Sequence, residues 1–513
     1  MYTESYLRYL LSDDISLQKY FERKEVVMLE EIKRNLMLLE RDNNHFIPDH
    51  YYRLGKERSF EQIHYVSQLF TVGLKRLAEE YLELRDNIVY VKAERMNSWQ
   101  LILPYMPPLL MVCVRLFNEA YMEDGDEEEY LHRYICPNVT YTAFPSPYIP
   151  QMMEFLDEGL ADLHMHLNGA METDLTWQDF LKNPLEIKDE LEKAYNEEKV
   201  KEQYAQSSFL ANPEKIYRLL KVASKLRYKL YGYAFNKENL NEDEKCSLKD
   251  YLEKVVEKDG ADLYFTNHPL ELFFSNKYLS HYMEAILYIK LLQLMVDQPE
   301  NDTVGCLFHY YLLILGLVNK MMVQQPTCYG FEEFQKITMN GLREYSEAQS
   351  YYPRYAQLSG NELKYVRFLE GRFSPKDSKV KNEALIGKIL AGRDLLEKQK
   401  GNPPFQLKLV AHFIKKKEGK RDPLIRYRHF RNDIRDRAEI LKDILRYGGS
   451  PSKTILGIDA AASEFDTPPE VFAPVYRNLR EAGFKHFTYH AGEDFFHVLT
   501  SRSEERRVGK ECR

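Results

Sequence analysis

From about residue 156 onward, short apolar runs of strand length alternate with segments of helical periodicity. The apolar runs occupy residues 159–167, 364–373, 406–414, 454–459 and 485–490. Helical patterns at 432–447 and 469–482 precede the fourth and fifth runs. Strands that alternate with helices form a parallel sheet or a β/α barrel, because each crossover helix packs on a face of the sheet. The pattern therefore restricts this part of the chain to the α/β class.

About two hundred residues separate the first two predicted strands, many more than a β/α crossover needs. Residues from about 175 to 355 are largely helical in pattern, and we predict that they form a helical insertion. Residues 1–155 are predicted to be a helical N-terminal region, in which Leu29, Ile32, Leu36 and Leu39 recur at helical spacing. Residues 156–501 then carry the strands together with the insertion.

The composition excludes several classes of protein. A net charge of −8 gives no general attraction to nucleic acid phosphates. The six cysteines are scattered without a CxxC pair, which is typical of a reducing cytoplasm rather than of a disulfide framework. No signal peptide is visible, and we expect the apolar stretches 101–117 and 310–318 to be buried core rather than membrane spans. A cytoplasmic location without membrane partners is the expectation.

The first predicted strand carries two histidines, His164 and His166, in the segment DLHMHLNGA at 162–170. Alternate side chains of a strand share a face, so both imidazoles are expected to point the same way. Two neutral imidazoles in that arrangement are natural zinc ligands. The alternative is a pair of packed core histidines, since an HxH pattern by itself is weak.

A second motif, FTYHAGE at 487–493, places His490 at the end of the fifth strand and Glu493 three residues later. In β/α barrels the carboxyl ends of the strands carry the active site. His490 can reach a metal held by the first strand, and Glu493 can move a proton beside it. A glutamate favoured by a helix N-terminus is the structural alternative for Glu493 alone.

A third motif, GIDAAASE at 457–464, follows the fourth strand. Asp459 is expected either to fix a loop or orient a ligand histidine, or to contact a ligand directly. His412 is expected to pack or cap near the end of the third strand, with a substrate contact as the alternative. Lys415, Lys416 and Lys417 are expected to be a solvated cluster rather than a phosphate site.

HxHLxGA, RFSP, GIDxxxxE and HAGE, in this order, resemble the adenosine deaminase family of the metal-dependent amidohydrolase superfamily. The match spans roughly residues 156–500 without the insertion. The resemblance implies a partial (β/α)8 barrel of the TIM type, of which this chain holds the first five strands. The large size, helical front and long insertion also resemble the large deaminases of bacterial RADAR antiphage systems. The cytidine deaminase signature, HxE with PCxxC, is absent.

The resemblance implies a hydrolase that converts adenosine or an adenine nucleotide to the inosine form, acting on a C–N bond of a cyclic amidine. One Zn²⁺ per subunit would be held by His164, His166 and His490. Glu493 would be the catalytic residue that protonates the purine ring nitrogen, while zinc-bound hydroxide attacks the carbon that carries the amino group. Further roles implied by the family concern Asn168, Gly169 and Ala462 for substrate binding and Asp459 and Glu464 for support of the site.

Two positions depart from the family pattern. Asn168 stands where the family usually has an aspartate near the ribose hydroxyl end, and the lost negative charge favours acceptance of phosphorylated adenosine. Ala462 replaces a glycine that lines the purine pocket. Both departures concern substrate choice rather than the metal.

The end of the chain is expected to be incomplete. The family's later histidine and aspartate have no counterpart, and His497 comes too early in the pattern to serve as that histidine. Residues 502–513 (RSEERRVGKECR) look like a translated sequencing adapter rather than native sequence. We therefore expect the natural protein to continue beyond about residue 501 and this fragment to be nearly inactive.

Two other functions fit the sequence less well. Another amidohydrolase-type metal hydrolase would share HxH, but HAGE and GIDxxxxE count against it. A non-catalytic assembly scaffold of an antiphage complex would leave the predicted ligand residues unexplained. The Tyr-rich helical regions suit contacts with a second copy or with a partner protein.

Overall fold

The computed structural model describes residues 3–43, 46–139, 142–167, 172–196, 201, 204–205, 207–235, 267–274, 280–323, 342, 351–398, 405–419, 422–447 and 453–493. Contacts divide the chain into two compact units. The first is drawn from residues 1–149, 171–328 and 339–346, and the second from 150–170, 329–338 and 347–513.

Helices dominate the described residues. The α-helices are α1 (Thr3–Ser12), α2 (Asp14–Gln18), α3 (Leu29–Asn43), α4 (Asp49–Phe60), α5 (Lys75–Tyr81), α6 (Met96–Ile102), α7 (Pro108–Phe117), α8 (Glu127–Tyr130), α9 (Pro150–Glu158), α10 (Thr173–Lys182), α11 (Pro184–Ala194), α12 (Pro213–Ala234), α13 (Ser280–Asp297), α14 (Asp302–Met322), α15 (Tyr351–Ser359), α16 (Lys379–Glu397), α17 (Arg428–Tyr447) and α18 (Ala473–Glu481). The strands are β1 (Leu82–Arg85), β2 (Ile88–Val91), β3 (Leu160–His166), β4 (Val366–Phe373), β5 (Gln406–Ile414), β6 (Ile455–Ala461) and β7 (His486–Phe487).

Side-chain caps mark where several of these helices begin. Asn212 accepts a hydrogen bond from the Lys215 amide before α12, and Asn301 caps α14 in the same way. Ser378 caps α16. Each cap satisfies an amide that the first turn of a helix leaves without an intrahelical partner.

The first unit has one hydrophobic core, to which residues of the N-terminal region and residues of the insertion both contribute. In α14, all side chains from Val304 to Asn319 are buried, as the sequence predicted for 310–318. By length and composition α14 could cross a membrane, but 94% of its most apolar window is buried inside the protein. The segments Ala93–Tyr105 and Pro108–Phe117 pass the same test only together, and they bend by 117° at their break.

A β-hairpin lies in the N-terminal region, which the sequence pattern predicts to be mostly helical. Strands β1 and β2 pair antiparallel, with Arg85 opposite Ile88. The two turn residues between them, Asp86 and Asn87, both have positive φ, at 50° and 65°. Asp and Asn tolerate the left-handed region better than other non-glycine residues, and two-residue hairpin turns of this kind match the strand twist.

The second unit contains a five-stranded parallel sheet whose strands lie side by side in sequence order, β3-β4-β5-β6-β7. All four pairings are parallel. The five strands match the predicted apolar runs, so the α/β class with a parallel sheet is confirmed. Helices precede β4, β5, β6 and β7 within the described residues.

Burial differs along the sheet. Strand β5 is buried without interruption from Leu409 to Phe413, as expected when both faces of a parallel strand are covered. Strand β3, at one edge, is exposed from Ala161 to His164. Because parallel strands end at a common edge, the carboxyl ends of β3, β5, β6 and β7 are brought close together. The predicted chemical residues that the structure describes lie at this edge.

A buried polar cluster interrupts the apolar core of the first unit. Glu284 accepts a hydrogen bond from Tyr311 Oη at 2.5 Å and lies 3.0 Å from His268 Nε2. Asp174, in helix α10, lies close enough to Glu284 to be affected by its charge. It is buried and accepts a hydrogen bond from the Leu109 amide at 3.4 Å. Burial raises the pKa of Asp174 to about 7.

The pKa of Asp174 predicts a pH dependence of stability. Between its usual pKa of 3.8 and about 7, the folded protein holds a proton that the unfolded chain has lost, so stability falls as pH rises through this window. Asp174→Asn removes this loss. We expect the free energy of unfolding of the variant, relative to the parent, to rise by on the order of a few kcal/mol between pH 4 and pH 7. Denaturant unfolding at several pH values measures it, with exposed Asp189→Asn as the control. A pH-independent difference would contradict the assignment.

Two helical glycines make a matched pair. A Cβ added at Gly316 in α14 would lie 1.6 Å from the Leu11 carbonyl oxygen, whereas one at exposed Gly387 in α16 meets nothing within 4 Å. Gly316→Ala should destabilise the protein by about 1–3 kcal/mol, because the backbones must separate. Gly387→Ala should stabilise it by up to about 1 kcal/mol through helix propensity. Thermal or denaturant unfolding measures both variants. Equal changes in stability for the two would contradict the close contact between Gly316 and the Leu11 backbone.

Candidate metal centre

Three histidines meet at the carboxyl edge of the sheet. His164 and His166 lie on β3, and His490 follows β7 by three residues. The Nε2 atom of His164 lies 3.1 Å from Nε2 of His166 and 3.1 Å from Nε2 of His490. The structure thus brings together the three predicted ligands, with one nitrogen from each lying within 4.8 Å of the others.

The donor geometry fits a small divalent cation. With Zn–N bonds of about 2.0–2.1 Å in a tetrahedron, neighbouring ligand nitrogens lie roughly 3.3 Å apart. The observed 3.1 Å separations are close to this edge length. Metal binding also requires neutral imidazoles. Burial, with the neighbouring His164 and His490, lowers the pKa of His166 to about 4, and burial followed by the Arg372 charge lowers that of His164.

Asp459 orients His490 from behind. The carboxylate of Asp459, at the end of β6, has no exposed surface, and its Oδ1 lies 3.1 Å from His490 Nδ1. A carboxylate at Nδ1 holds the proton there, so the Nε2 lone pair faces the other two histidines. Burial opposes the charge, but the His490 hydrogen bond and the His490, His412 and Arg372 charges bring the pKa of Asp459 to about 2. Of the two interpretations offered for Asp459, the geometry favours orientation of a ligand histidine.

Arg372 is a member of the site that the sequence analysis did not single out, although it lies within the RFSP motif. Its side chain is buried, and its Nε donates to Asp459 Oδ2 at 3.2 Å. Its Nη2 lies 3.2 Å from His164 Nδ1, and its Nη1 donates to Glu370 at 2.5 Å. A donor at Nδ1 selects the His164 tautomer with its proton on Nε2. Cation binding through His164 Nε2 is therefore coupled to the loss of this contact.

His412 lies deeper in the same cluster. Its ring centroid is 5.3 Å from that of His166 and 5.1 Å from that of His490, and it pairs in register with Asp459. Among the described residues, its buried Nε2 has no hydrogen-bond partner, although Asp459 Oδ2 lies 3.8 Å away. Burial lowers the pKa of His412 to about 3, so the imidazole is neutral. His412 therefore packs in the cluster as predicted, and its Nε2 atom can also accept or donate a hydrogen bond to a ligand.

His412, Asp459 and His490 form a second group of converging donor atoms. Arg372 already neutralises the Asp459 carboxylate at 3.2 Å. A cation bound between His412 and Asp459 would lie beside a buried guanidinium, which like-charge repulsion disfavours. The three-histidine set is therefore the better cation site.

Glu493 lies in the loop that follows His490. Its Oε2 accepts a hydrogen bond from the Ala462 amide at 2.8 Å, and its own amide donates to Glu464 Oε1 at 3.0 Å. Burial raises the pKa of Glu493, although the His490 charge partly opposes it. Ala462 has a φ of 80°, in the left-handed region that favours glycine. The predicted residues Ala462, Glu464 and Glu493 are thus joined in one pair of loops.

Asn168 and Gly169, predicted to contact substrate, lie outside the described residues. No protein-family model and no curated protein sequence match the chain. The chemistry open to the site is therefore inferred from its own residues: three imidazole nitrogens, a buried carboxylate hydrogen-bonded to one of them and a glutamate with a raised pKa.

Removal of the Asp459 charge should weaken metal binding without removing a metal ligand. Asp459→Asn removes one of the two carboxylate partners of the buried Arg372 guanidinium, leaving Glu370, and no longer holds the His490 proton on Nδ1. We expect zinc affinity to fall roughly 10- to 100-fold and stability to fall by about 3–5 kcal/mol. Competition with a chromophoric chelator measures the first and denaturant unfolding the second. Asp436→Asn, at an exposed carboxylate paired with Arg435, is the control. Parental zinc affinity in Asp459→Asn would contradict the orienting role.

Proposed function

We propose that the protein is a zinc-dependent hydrolase that deaminates adenosine or an adenine nucleotide to the inosine form. The observation that carries the proposal is the cluster of His164, His166 and His490, in which the His166 and His490 Nε2 atoms each lie 3.1 Å from that of His164, with Glu493 in the adjoining loop. A divalent cation held by the three imidazoles would supply Lewis-acid activation of water. The chain's own residues supply the orientation and the proton.

We also propose that the sheet is part of a TIM-type barrel. Its five parallel strands lie in sequence order, with helices between them and the chemical residues at their carboxyl ends. In barrels of this kind, the loops at that edge form the active site. Among the described residues, the sheet ends at β3 on one side and at β7 on the other, whereas a closed barrel has no edge strands. Further strands would pair with β7 and β3 to close it.

Each step of a hydrolytic deamination can be assigned to residues of the site. Water adds to the ring carbon that carries the amino group, a proton reaches the adjacent ring nitrogen, and ammonia leaves. Glu493 is suited to deliver that proton, since burial raises its pKa and keeps it protonated to higher pH than an ordinary glutamate. The Ala462 amide holds one of its oxygens, and Glu464 fixes its backbone. The buried Nε2 of His412 is available to hydrogen-bond the substrate or its leaving group.

The experiment is an ammonia-release assay on zinc-loaded protein, both as the 513-residue chain and as the product of the complete reading frame. Adenosine, AMP, dATP and ATP form the substrate panel, which also tests the effect expected of Asn168. We expect the complete protein to release ammonia from at least one of them, and Glu493→Gln to lower the rate about 10²- to 10⁴-fold with zinc content unchanged. Exposed Glu470→Gln should behave as the parent.

Results that differ from these would favour one of the alternative functions. A complete protein that binds zinc but releases ammonia from none of these purines would disprove deamination, and activity on another amide or amine would identify a different metal hydrolase. A complete protein that binds no zinc would favour the assembly scaffold. Full activity in Glu493→Gln would remove the proton-donor role alone.

A further inference from the structure

Lys415 follows β5 by one residue and is buried, with 2% of its surface exposed. The prediction that Lys415, Lys416 and Lys417 form a solvated cluster is therefore wrong for Lys415. Lys416 and Lys417 are exposed as expected. A lysine is rarely buried, because removal of an ammonium from water is costly unless its protons are bound.

The Lys415 ammonium is directed at the protein's own backbone. Its Nζ donates to the Ala462 carbonyl oxygen at 2.8 Å and to the His490 carbonyl oxygen at 2.9 Å. It also lies 4.4 Å from the centre of the Tyr489 ring, within cation–π range. Its backbone amide donates to the Ala461 carbonyl oxygen at 2.7 Å. Lys415 therefore joins the ends of β5, β6 and β7.

Both carbonyls belong to residues that place chemical groups. The amide of Ala462, a residue with positive φ, donates to the Glu493 carboxylate at 2.8 Å. His490 presents the third converging Nε2 atom. One buried side chain thus contacts the two short loops that carry the third nitrogen donor and the proton donor.

We propose that Lys415 is a positioning residue that sets the placement of His490 relative to Glu493. The link to catalysis rests on the proposed function, whereas the structural link does not. Without the ammonium, the Ala462 and His490 carbonyls would lose a shared donor, and the two loops could separate. The distance between His490 and Glu493 would then vary. Because the His490 imidazole would no longer be held in one place, binding of a cation that needs all three imidazoles at once would weaken.

The test compares Lys415→Met with Lys416→Met, its exposed neighbour. Methionine keeps the length and apolar stem but cannot donate. Hydrogen exchange of the metal-free 513-residue chain is followed in peptides that cover 456–465 and 484–493. The informative amides are those of Ala462, His490 and Glu493, each hydrogen-bonded across the loops or to the adjacent strand. Co²⁺ binding is measured in parallel through its visible d–d absorption.

We expect Lys415→Met to accelerate exchange in both peptides, to weaken Co²⁺ binding roughly 10- to 100-fold and to change the shape of the d–d spectrum. Lys416→Met should match the parent in all three. A purely structural role elsewhere in the sheet would accelerate exchange broadly and leave the spectrum unchanged once Co²⁺ is bound. Exchange and Co²⁺ affinity in Lys415→Met equal to those in Lys416→Met would overturn the proposal.

Two further controls keep the outcomes separate. If Lys415→Met does not fold, Lys415→Arg keeps the charge and donors with a different reach, and should show a smaller increase in exchange at the same two loops. Exchange that rises equally across the whole sheet in Lys415→Arg, with an unchanged spectrum, would overturn the proposal, whereas exchange equal to the parent would show that the donated hydrogen bonds suffice. If the parent binds no Co²⁺ while Lys415→Met still loosens both loops, the proposed metal chemistry fails but the positioning of the loops stands.

Discussion

The carboxylate of Asp459 is the charge on which the rest of the site depends. With no exposed surface, it binds the Arg372 guanidinium through one oxygen and the His490 imidazole through the other. Arg372 extends the pairing to His164 on β3. A buried carboxylate is tolerated only when such partners satisfy it, so the side chains of three strands are fixed relative to one another by one anion.

The cluster also shows how a parallel sheet builds a site. Strand order in the sheet equals sequence order, so residues far apart in the chain end at one edge. His164 and His490 are separated by 326 positions, yet their Nε2 atoms lie 3.1 Å apart. Lys415, from the strand end between them, binds the backbone of the loops that follow β6 and β7. The ion pair between Arg372 and Asp459 links β4 to β6. The Lys415 side chain and amide link the end of β5 to the residues at the ends of β6 and β7.

Much of the second unit could be predicted from the sequence, because its strands and the His164–His166 pair follow from short-range sequence patterns. Continuous apolar runs predicted the five strands, and a period of two placed His164 and His166 together. The buried state of Lys415 could not be predicted, because a lysine in a KKK run has the pattern of a solvated surface and its carbonyl partners lie 47 and 75 positions away. The same holds for Arg372, whose partner Asp459 is 87 positions away. The β1–β2 hairpin had a local signal, the Asp86-Asn87 pair, that the sequence analysis did not use.

The central proposal is that His164, His166 and His490 bind one divalent cation, and X-ray absorption at the zinc edge of the zinc-loaded chain tests it most directly. The account predicts one tightly bound zinc per chain, with nitrogen neighbours at about 2.0–2.1 Å and the outer-shell scattering of three imidazole rings. His164→Asn should reduce the imidazole count by one. Zinc that binds without imidazole scattering, or a parent and a His164→Asn variant with the same first shell, would contradict the account.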